Sequence, residues 1–419
     1  MTRLLALAFL VCLPAASRAQ PAALTLRQAF DSALRNSESI AINQQEVRRA
    51  EALYREALRG ELPTLDLAAD ASWEGRPTSN RLSNADTEAA FRLTKTGLSG
   101  YRELAAIRAA GHDSARRRHL RARAEQLLLG DVSGAFFGML QSQENVAATE
   151  ELIKLAGARL SELRERVRVG RTREADAIGQ EFQVATLRSQ LEESSRQVQA
   201  RSDLLSFLMR EPVPALRSGE APFLELPPIE RFLSRVGSRP DVVAASESAQ
   251  AAAALVRLAR ADHLPELGFQ ARWFPHRPAS QLSNRWDATL GMAVPLWGWG
   301  AVSASVEAAR AELTQEELTL QALRRAAELD VRNAYRDYSS ARRQLDVRRQ
   351  AMDLARRDYE LQSRDERRGL VTSLEALESL NRLNGARLAY NNALLAVRLA
   401  SVSLDIASGE PIEEVELLK

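Results

Sequence analysis

Several residue types on which enzymes and metal sites depend are scarce in this sequence. Cysteine occurs once, as Cys12, and histidine four times, as His112, His119, His263 and His276. Cys12 sits in an N-terminal apolar run, so a chain lacking that run carries no thiol, forms no disulfide and offers no Cys metal ligand. His112 and His119 stand seven apart on an expected helix without the carboxylate spacing of a metal site, so all four histidines read as surface groups. Gly-x-x-x-x-Gly-Lys, Gly-x-Ser-x-Gly and His-Glu-x-x-His are all missing, and Gly298-Trp299-Gly300 is only the start of a dinucleotide fingerprint. No catalytic residue, no cofactor, no metal and no enzymatic activity are therefore expected. Charge of one sign is lacking too: 57 basic against 55 acidic residues leave a net charge of +2, which makes no electrostatic case for nucleic acid. No stretch beyond the N-terminus reaches eighteen apolar residues without charge, so no membrane-spanning helix is expected.

Hydrophobic residues make up 45% and charged residues 27%, which supplies material for a core and excludes a disordered composition. The basic residues are nearly all arginine, and the Ala, Leu, Arg, Glu and Gln content favours long helices. The N-terminus reads as a secretory signal over residues 1–19. Arg3 supplies positive charge, Leu4 to Leu13 is an apolar core too short to span a bilayer, and Ser17-Arg18-Ala19 offers a cleavage site before Gln20. Phe9-Leu10-Val11 lacks the small residue that a lipoprotein signal places before its Cys. An exported chain without a spanning helix is soluble in the periplasm, secreted, or a β-barrel.

An internal repeat organises the rest. Val132 to Pro212 matches Val331 to Pro411 at a fixed offset: Phe136 falls on Tyr335, Gly170 on Gly369, Asp176 on Glu375, and Glu211-Pro212 on Glu410-Pro411. Upstream, Leu62-Pro63 falls on Leu264-Pro265. Each half carries an Ala-rich helix (about Leu26 to Arg59, and Pro240 to Ala261), a Leu-Pro break, two strand-like runs, a long helix, a glycine and a second long helix. The divisions are a first repeat at 20–211, a Pro-rich linker at 212–238, a second repeat at 239–412 and a tail at 413–419. Apolar residues step by three or four through Leu152, Ala156, Leu160, Leu163 and Val167, and again through Leu370, Leu374, Leu377, Leu380 and Leu383, as in coiled-coil-like seams.

The strand-like runs alternate. Leu65, Leu67, Ala69, Ala71 and Trp73 oppose Asp66, Asp70 and Ser72; Thr87, Ala89, Phe91 and Leu93 oppose Asp86, Glu88, Arg92 and Thr94. Leu267, Phe269, Ala271 and Trp273 oppose Glu266, Gln270 and Arg272; Trp286, Ala288, Leu290, Met292 and Val294 oppose Asp287 and Thr289. Period-two alternation with aromatics near the ends is the pattern of transmembrane β-strands, one face to lipid and one to a wet lumen. Polar segments Glu74–Ala85 and Pro275–Arg285 then read as the loops between strands. Four strands cannot close a barrel and an open edge is not tolerated in lipid, so the chain must self-associate.

The sequence resembles the TolC-type outer-membrane efflux proteins, or outer membrane factors, over nearly all its mature length. The resemblance rests on Leu24-Thr25-Leu26-Arg27-Gln28-Ala29-Phe30, Arg239-Pro240-Asp241-Val242, Val294-Pro295-Leu296-Trp297-Gly298-Trp299-Gly300, Arg368-Gly369 with Leu374-Glu375-Ala376-Leu377, and Val167-Arg168-Val169-Gly170 with Ala175-Asp176-Ala177-Ile178. It departs from the family at Arg92-Leu93-Thr94-Lys95-Thr96-Gly97, which lacks Pro-Leu-aromatic, at Glu375, where Asp is usual, and at Trp299, where a polar residue is usual. The resemblance implies a mainly α fold with a transmembrane β portion, built from long α-helical hairpins plus four strands per chain. A homotrimer would complete a 12-stranded β-barrel in the outer membrane and an α-barrel in the periplasm. It further implies docking to a periplasmic adaptor protein and an inner-membrane pump, contact with outer-membrane lipid, and a passive conduit for drugs or metal ions.

The tip residues Val169, Gly170, Gly369, Val371 and Thr372 are then candidates for adaptor contact, and Asp176, Glu375, Glu378, Arg367 and Arg368 for the periplasmic mouth. Glu375 and Glu378 are three apart and share a helical face, so symmetry copies would concentrate negative charge. Glu174, Asp176 and Glu181 follow the first turn in the same way. Arg367 and Arg368 are expected to bridge to neighbouring carboxylates and hold the mouth closed. The plain alternative for these charges is a solvated helix face with intrahelical pairs. Two rival functions share these features: the outer-membrane duct of a type I protein secretion system, and a soluble periplasmic coiled-coil scaffold or adaptor, which needs no lipid-facing strands.

Overall fold

A computed structural model describes residues 24–72, 86–95, 101–214, 216, 226–277 and 284–415. The signal segment 1–19, Trp73, the Glu74–Ala85 loop and, of the linker prolines, Pro222 lie outside the described residues.

The repeat is visible in the elements. The first half runs α1 (Leu26–Asn36), α2 (Glu38–Arg59), β1 (Thr64–Ser72), β2 (Asp86–Lys95), α3 (Arg102–Arg168) and α4 (Glu174–Met209). The second runs α5 (Ile229–Leu233), a 3-10 turn, α6 (Pro240–Ala261), β3 (Glu266–His276), β4 (Trp286–Ala293), α7 (Ala301–Arg367) and α8 (Ser373–Ser408). α3 and α7 each have 67 residues, α4 and α8 36, and α2 and α6 22. A helix of that greater length reaches about 100 Å.

Two sequence expectations are corrected. The run from Leu26 to Arg59 is two helices, because Ser37 is extended (φ −72°, ψ 121°) and its hydroxyl accepts from the Ile40 N–H to start α2 afresh. β3 does not stop at Trp273 but continues to His276. The register against β2 shifts there, from Phe91 opposite Trp273 to Ala89 opposite His276. That bulge accommodates Pro275, which has no N–H to give to the ladder.

The four strands form one antiparallel meander in the order β1-β2-β3-β4. Its register settles the faces. Leu67, Phe91, Trp273 and Trp286 lie in one row across the sheet, and Leu65, Leu93, Ala271 and Ala288 in the next. Phe269 pairs with Leu290 and Leu267 with Met292 on the same side. The other side carries the row Asp66, Arg92, Arg272 and Asp287, the last two joined at 2.9 and 3.0 Å. Leu65, Leu67, Phe91, Trp273, Trp286, Leu290 and Met292 are all exposed, so the apolar face is uncovered within one chain. A continuous bare patch of this kind marks a surface meant for lipid or a partner.

The helices lie side by side in two tiers. Next to the sheet the contacts run α2–α3–α6–α7, and beyond the middle of α3 and α7 they run α4–α3–α8–α7. The core between the tiers gathers Phe30, Leu129, Val132, Phe136, Leu205 and Met209 on one side and Val242, Val331, Val397 and Leu404 on the other. Arg239, only 4% exposed, ties this middle together: its guanidinium holds Asp241 at 2.8 Å and Asp330 at 3.1 Å, and donates to the Ala407 carbonyl at 3.3 Å. Toward the far end, Leu152, Ala156, Leu160, Leu163, Leu380 and Leu383 are buried as the seams require. Leu370 and Leu374 are exposed instead, so the second seam begins only beyond the turn.

Candidate functional site: the two hairpin tips

Each long hairpin turns through five residues, Val169 to Arg173 and Arg368 to Thr372, and the two turns share one backbone device. Gly170 (φ 71°) donates to the Val167 carbonyl at 2.9 Å and Arg171 to Arg166 at 2.8 Å. Gly369 (φ 73°) donates to Glu366 at 2.9 Å and Leu370 to Asp365 at 2.9 Å. This paired closure of the last helical turn needs a left-handed residue, which glycine adopts without a Cβ penalty. Nothing lies within 4 Å of a Cβ built on either glycine, so the requirement is conformational and not one of space.

The helices that leave the turns start differently. Thr372 caps α8: its hydroxyl accepts from the Glu375 N–H at 3.3 Å, and Glu375 accepts from the Thr372 N–H at 2.7 Å and its hydroxyl at 2.9 Å. This reciprocal box holds the Glu375 carboxyl below its ordinary value, chiefly through the Thr372 backbone N–H and then its hydroxyl. In the first turn the corresponding cap position is Arg173, which offers no oxygen; Asp176 instead accepts from Thr172 at 3.1 Å and from Arg173 at 3.2 Å. Asp176 and Glu375, equivalent in the repeat, are thus both engaged locally. Glu378 is exposed and has no hydrogen-bond or ion-pair partner among the described residues.

Arg367 lies close enough to Glu162 to act on its charge, but Arg368 makes no ion pair among the described residues. Near the tips the hairpins are joined through the Glu366 carboxylate, which sequence reasoning missed. It is 5% exposed and held from α3 by Arg159 and, at 3.3 Å, by Arg166. Glu162 completes the cluster, accepting from Arg159 at 2.6 Å and Arg166 at 2.8 Å. Burial is the largest single influence on the Glu162 carboxyl and pushes it up; the Arg159 hydrogen bond and the charges of Arg159, Arg166 and Arg367 outweigh it and leave the group below its ordinary value. No signal in the sequence separates Glu366 from its exposed neighbours, since its burial depends on α3 lying against the end of α7.

Beneath the turns a cavity of about 120 Å³ is lined from all four helices, among them by Arg159, Asp176, Tyr359, Ser363 and Leu374. Around it Val169, Leu370 and Leu374 present apolar side chains to solvent, with Val371 half-buried beside them. The two glycine-closed turns thus carry bare apolar crowns and stand on a buried ion cluster. Among the described residues no group of His, Cys, Asp and Glu is arranged to hold a metal ion.

The family model described as outer membrane efflux protein matches residues 236–410. That match takes in the second half of the chain, from the 3-10 turn before α6 to just past the end of α8. A pyoverdine export outer membrane protein of Pseudomonas putida, OpmQ, is 29% identical over 408 residues, spanning 92% of this chain and 85% of the relative. Among solved structures the chain superposes on CusC with a TM-score of 0.83 at 17% identity, covering 93% of this chain and 92% of that one. It superposes on the Campylobacter jejuni CmeC outer membrane channel with a TM-score of 0.80 at 18% identity, covering 92% and 85%. The open state of the Neisseria gonorrhoeae MtrE outer membrane channel gives 0.80 at 19% identity, covering 92% and 88%. The likenesses to solved structures establish the fold, four antiparallel strands on long helical hairpins, along nearly the whole chain.

Proposed function

We propose that the protein is the outer-membrane exit duct of a tripartite efflux pump, exported by the signal at 1–19 and working without chemistry of its own. The observation that carries this reading is the sheet: a register that collects Leu65, Leu67, Phe91, Trp273, Trp286, Leu290 and Met292 on one uncovered face and Asp66, Arg92, Arg272 and Asp287 on the other. The first face suits hydrocarbon and the second a water-filled lumen. No helix among the described residues is long and apolar enough to cross a membrane, so the strands carry the insertion.

Every tier of the chain is open at both sides. One side presents β1, α2 and α4; the other presents β4 and α7. Closure therefore joins unlike edges of successive copies, which generates a ring. The helix edges are apolar as such a seam demands: Ile178, Phe182 and Phe207 on α4, and Val347, Leu354 and Leu361, seven apart, on α7, all exposed. Three copies bring twelve strands, the number the family resemblance implies, and energy comes from the inner-membrane pump. The tips Val169, Gly170, Gly369, Val371 and Thr372 contact the periplasmic adaptor, and Asp176, Glu375, Glu378, Arg367 and Arg368 ring the mouth. The repeats 20–211 and 239–412 each supply one hairpin, with 212–238 as the linker between them. The role of the Pseudomonas putida relative in pyoverdine export favours efflux over secretion of polypeptides.

Spin labels or cysteine probes at Leu67, Phe91, Phe269 and Leu290 are expected to report lipid contact in reconstituted protein. Water-exposed or tightly packed signals at these four sites overturn the duct. For the mouth, Glu375→Ala with Glu378→Ala is expected to change cation selectivity or block in planar-bilayer conductance, and unchanged selectivity and block remove the carboxylate ring.

A further inference from the structure

Where the helices meet the strands, α3 and α6 leave a groove of about 540 Å³ lined by Tyr101, Leu104, Arg108, Arg257, Arg260 and Leu264. Its composition is unusual for a seam between two packed helices. The guanidinium-bearing side chains of Arg108, Arg257 and Arg260 are exposed, and among the described residues none has a carboxylate partner. Asp262, next along the chain from the groove-lining Ala261, is already held by Arg102 at 2.6 Å. Three cations thus converge beside the apolar surfaces of Leu104, Leu264 and Tyr101, all of which are exposed.

The height of the groove says what chemistry it meets. Leu264 precedes the first residue of β3 by two positions, and Tyr101 is the cap of α3. Trp297 and Trp299, the latter 90% exposed, pack edge to face with centroids 5.8 Å apart in the link from β4 to α7, so they share this end of the sheet. Trp273 and Trp286 mark the other end. β4 ends at Ala293, but with the link to Trp297 fully extended the chain from Trp286 advances at most about 36 Å, or roughly 25 Å of membrane depth at a 45° tilt, enough to cover the apolar band between the aromatic girdles of an outer-membrane barrel. The groove therefore lies at the headgroups of the periplasmic leaflet.

We propose that this groove binds an anionic phospholipid of that leaflet, its phosphodiester on Arg108, Arg257 and Arg260 and an acyl chain along Leu104, Leu264 and Tyr101. Guanidinium forks match phosphate oxygens in pairs, and three of them favour a net negative headgroup over one that carries its own cation. The bound lipid would hold the duct at one depth and stiffen the step from strands to helices. The inference rests on the reading of the strands as membrane-inserted.

The test is native mass spectrometry of the full-length protein in detergent, titrated with phosphatidylglycerol or with phosphatidylcholine of the same acyl chains. Several-fold greater retention of phosphatidylglycerol is expected, with the preference abolished in R108Q/R257Q/R260Q. Equal retention of the two lipids by the unsubstituted protein overturns the proposal, and so does a preference that survives in the triple variant. Competition by soluble glycerophosphoglycerol at the concentration of the lipid also overturns it, because the site would then be one for a free phosphodiester. The heat-modifiable oligomer band of the same unsubstituted sample reads the barrel separately. Its loss sinks the membrane reading itself, whereas its presence without a lipid preference sinks only the groove.

Discussion

Gly409→Ala tests whether the middle of the molecule is locked as tightly as its contacts imply. Gly409 follows α8 with φ 78°, and a Cβ built there meets the Arg239 Cα at 2.8 Å and its Cβ at 3.0 Å. Two costs add. A left-handed alanine costs about 1–2 kcal/mol, and forcing backbone apart in a packed site costs about 1–3 kcal/mol more. The displaced residue is also the one whose guanidinium holds Asp241, Asp330 and the Ala407 carbonyl, so it has no free direction in which to yield. The total is about 2–5 kcal/mol. Gly369→Ala is the control: the same left-handed backbone, φ 73°, in open space, so only the first cost applies. Arg210, the repeat equivalent of Gly409, already stands at φ 58° without glycine, which shows that the conformation alone is tolerable. Thermal melts followed by far-ultraviolet circular dichroism in detergent should show a loss for Gly409→Ala at least twice that for Gly369→Ala. Equal losses would refute the argument that Arg239 makes position 409 intolerant.

Two further outcomes follow from the ion clusters. Arg239→Ala leaves Asp241 and Asp330 without their shared cation and is expected to lose about 3–5 kcal/mol in denaturant titrations, with Arg239→Lys restoring only part because it cannot grip a carboxylate in two places. Lowered pH should act through Glu162 and Asp241. On Asp241 burial is the largest influence and pushes the carboxyl up, but the Arg239 hydrogen bond and the charges of Arg239 and Arg123 leave it below its ordinary 3.8, as the Arg159–Arg166 pair leaves Glu162 below 4.5. A folded-state value below the unfolded one means that this stability is fully present above those ordinary values and is lost as pH falls through the lowered ones. Stability measured against pH should therefore drop only in that acid window, and Glu162→Gln with Asp241→Asn should flatten the drop.

The local chemistry was legible where it is written in spacing. Equal registers in the two halves anticipated α3 and α7, the two glycine turns, and two strands in each half. Alternation anticipated which side chains share a strand face, because side chains in a strand point to opposite sides whatever the neighbours are. The break at Ser37 was readable only as a serine before a helix-forming run, a weak signal inside an apolar period that continues through it. The extension of β3 past Pro275 was not readable, since a bulge is a property of two strands together.

The tip site divides in the same way. Gly170, Gly369 and the Thr372–Glu375 box depend on residues at most five apart, so the chain alone specified them. Whether an acid outside that box is solvated or buried in an ion cluster was decided by packing: Glu378 stayed in solvent, and Glu366 was enclosed between Arg159 and Arg166 from a helix about two hundred residues away. The convergence of Arg108 with Arg257 and Arg260, and the open edges at α4 and α7, belong to the same class. Helical and strand periods act over a few residues and are carried by the sequence directly. Desolvation, charge pairing and unpaired edges depend on which distant surfaces meet, and only the tertiary structure brings those surfaces together.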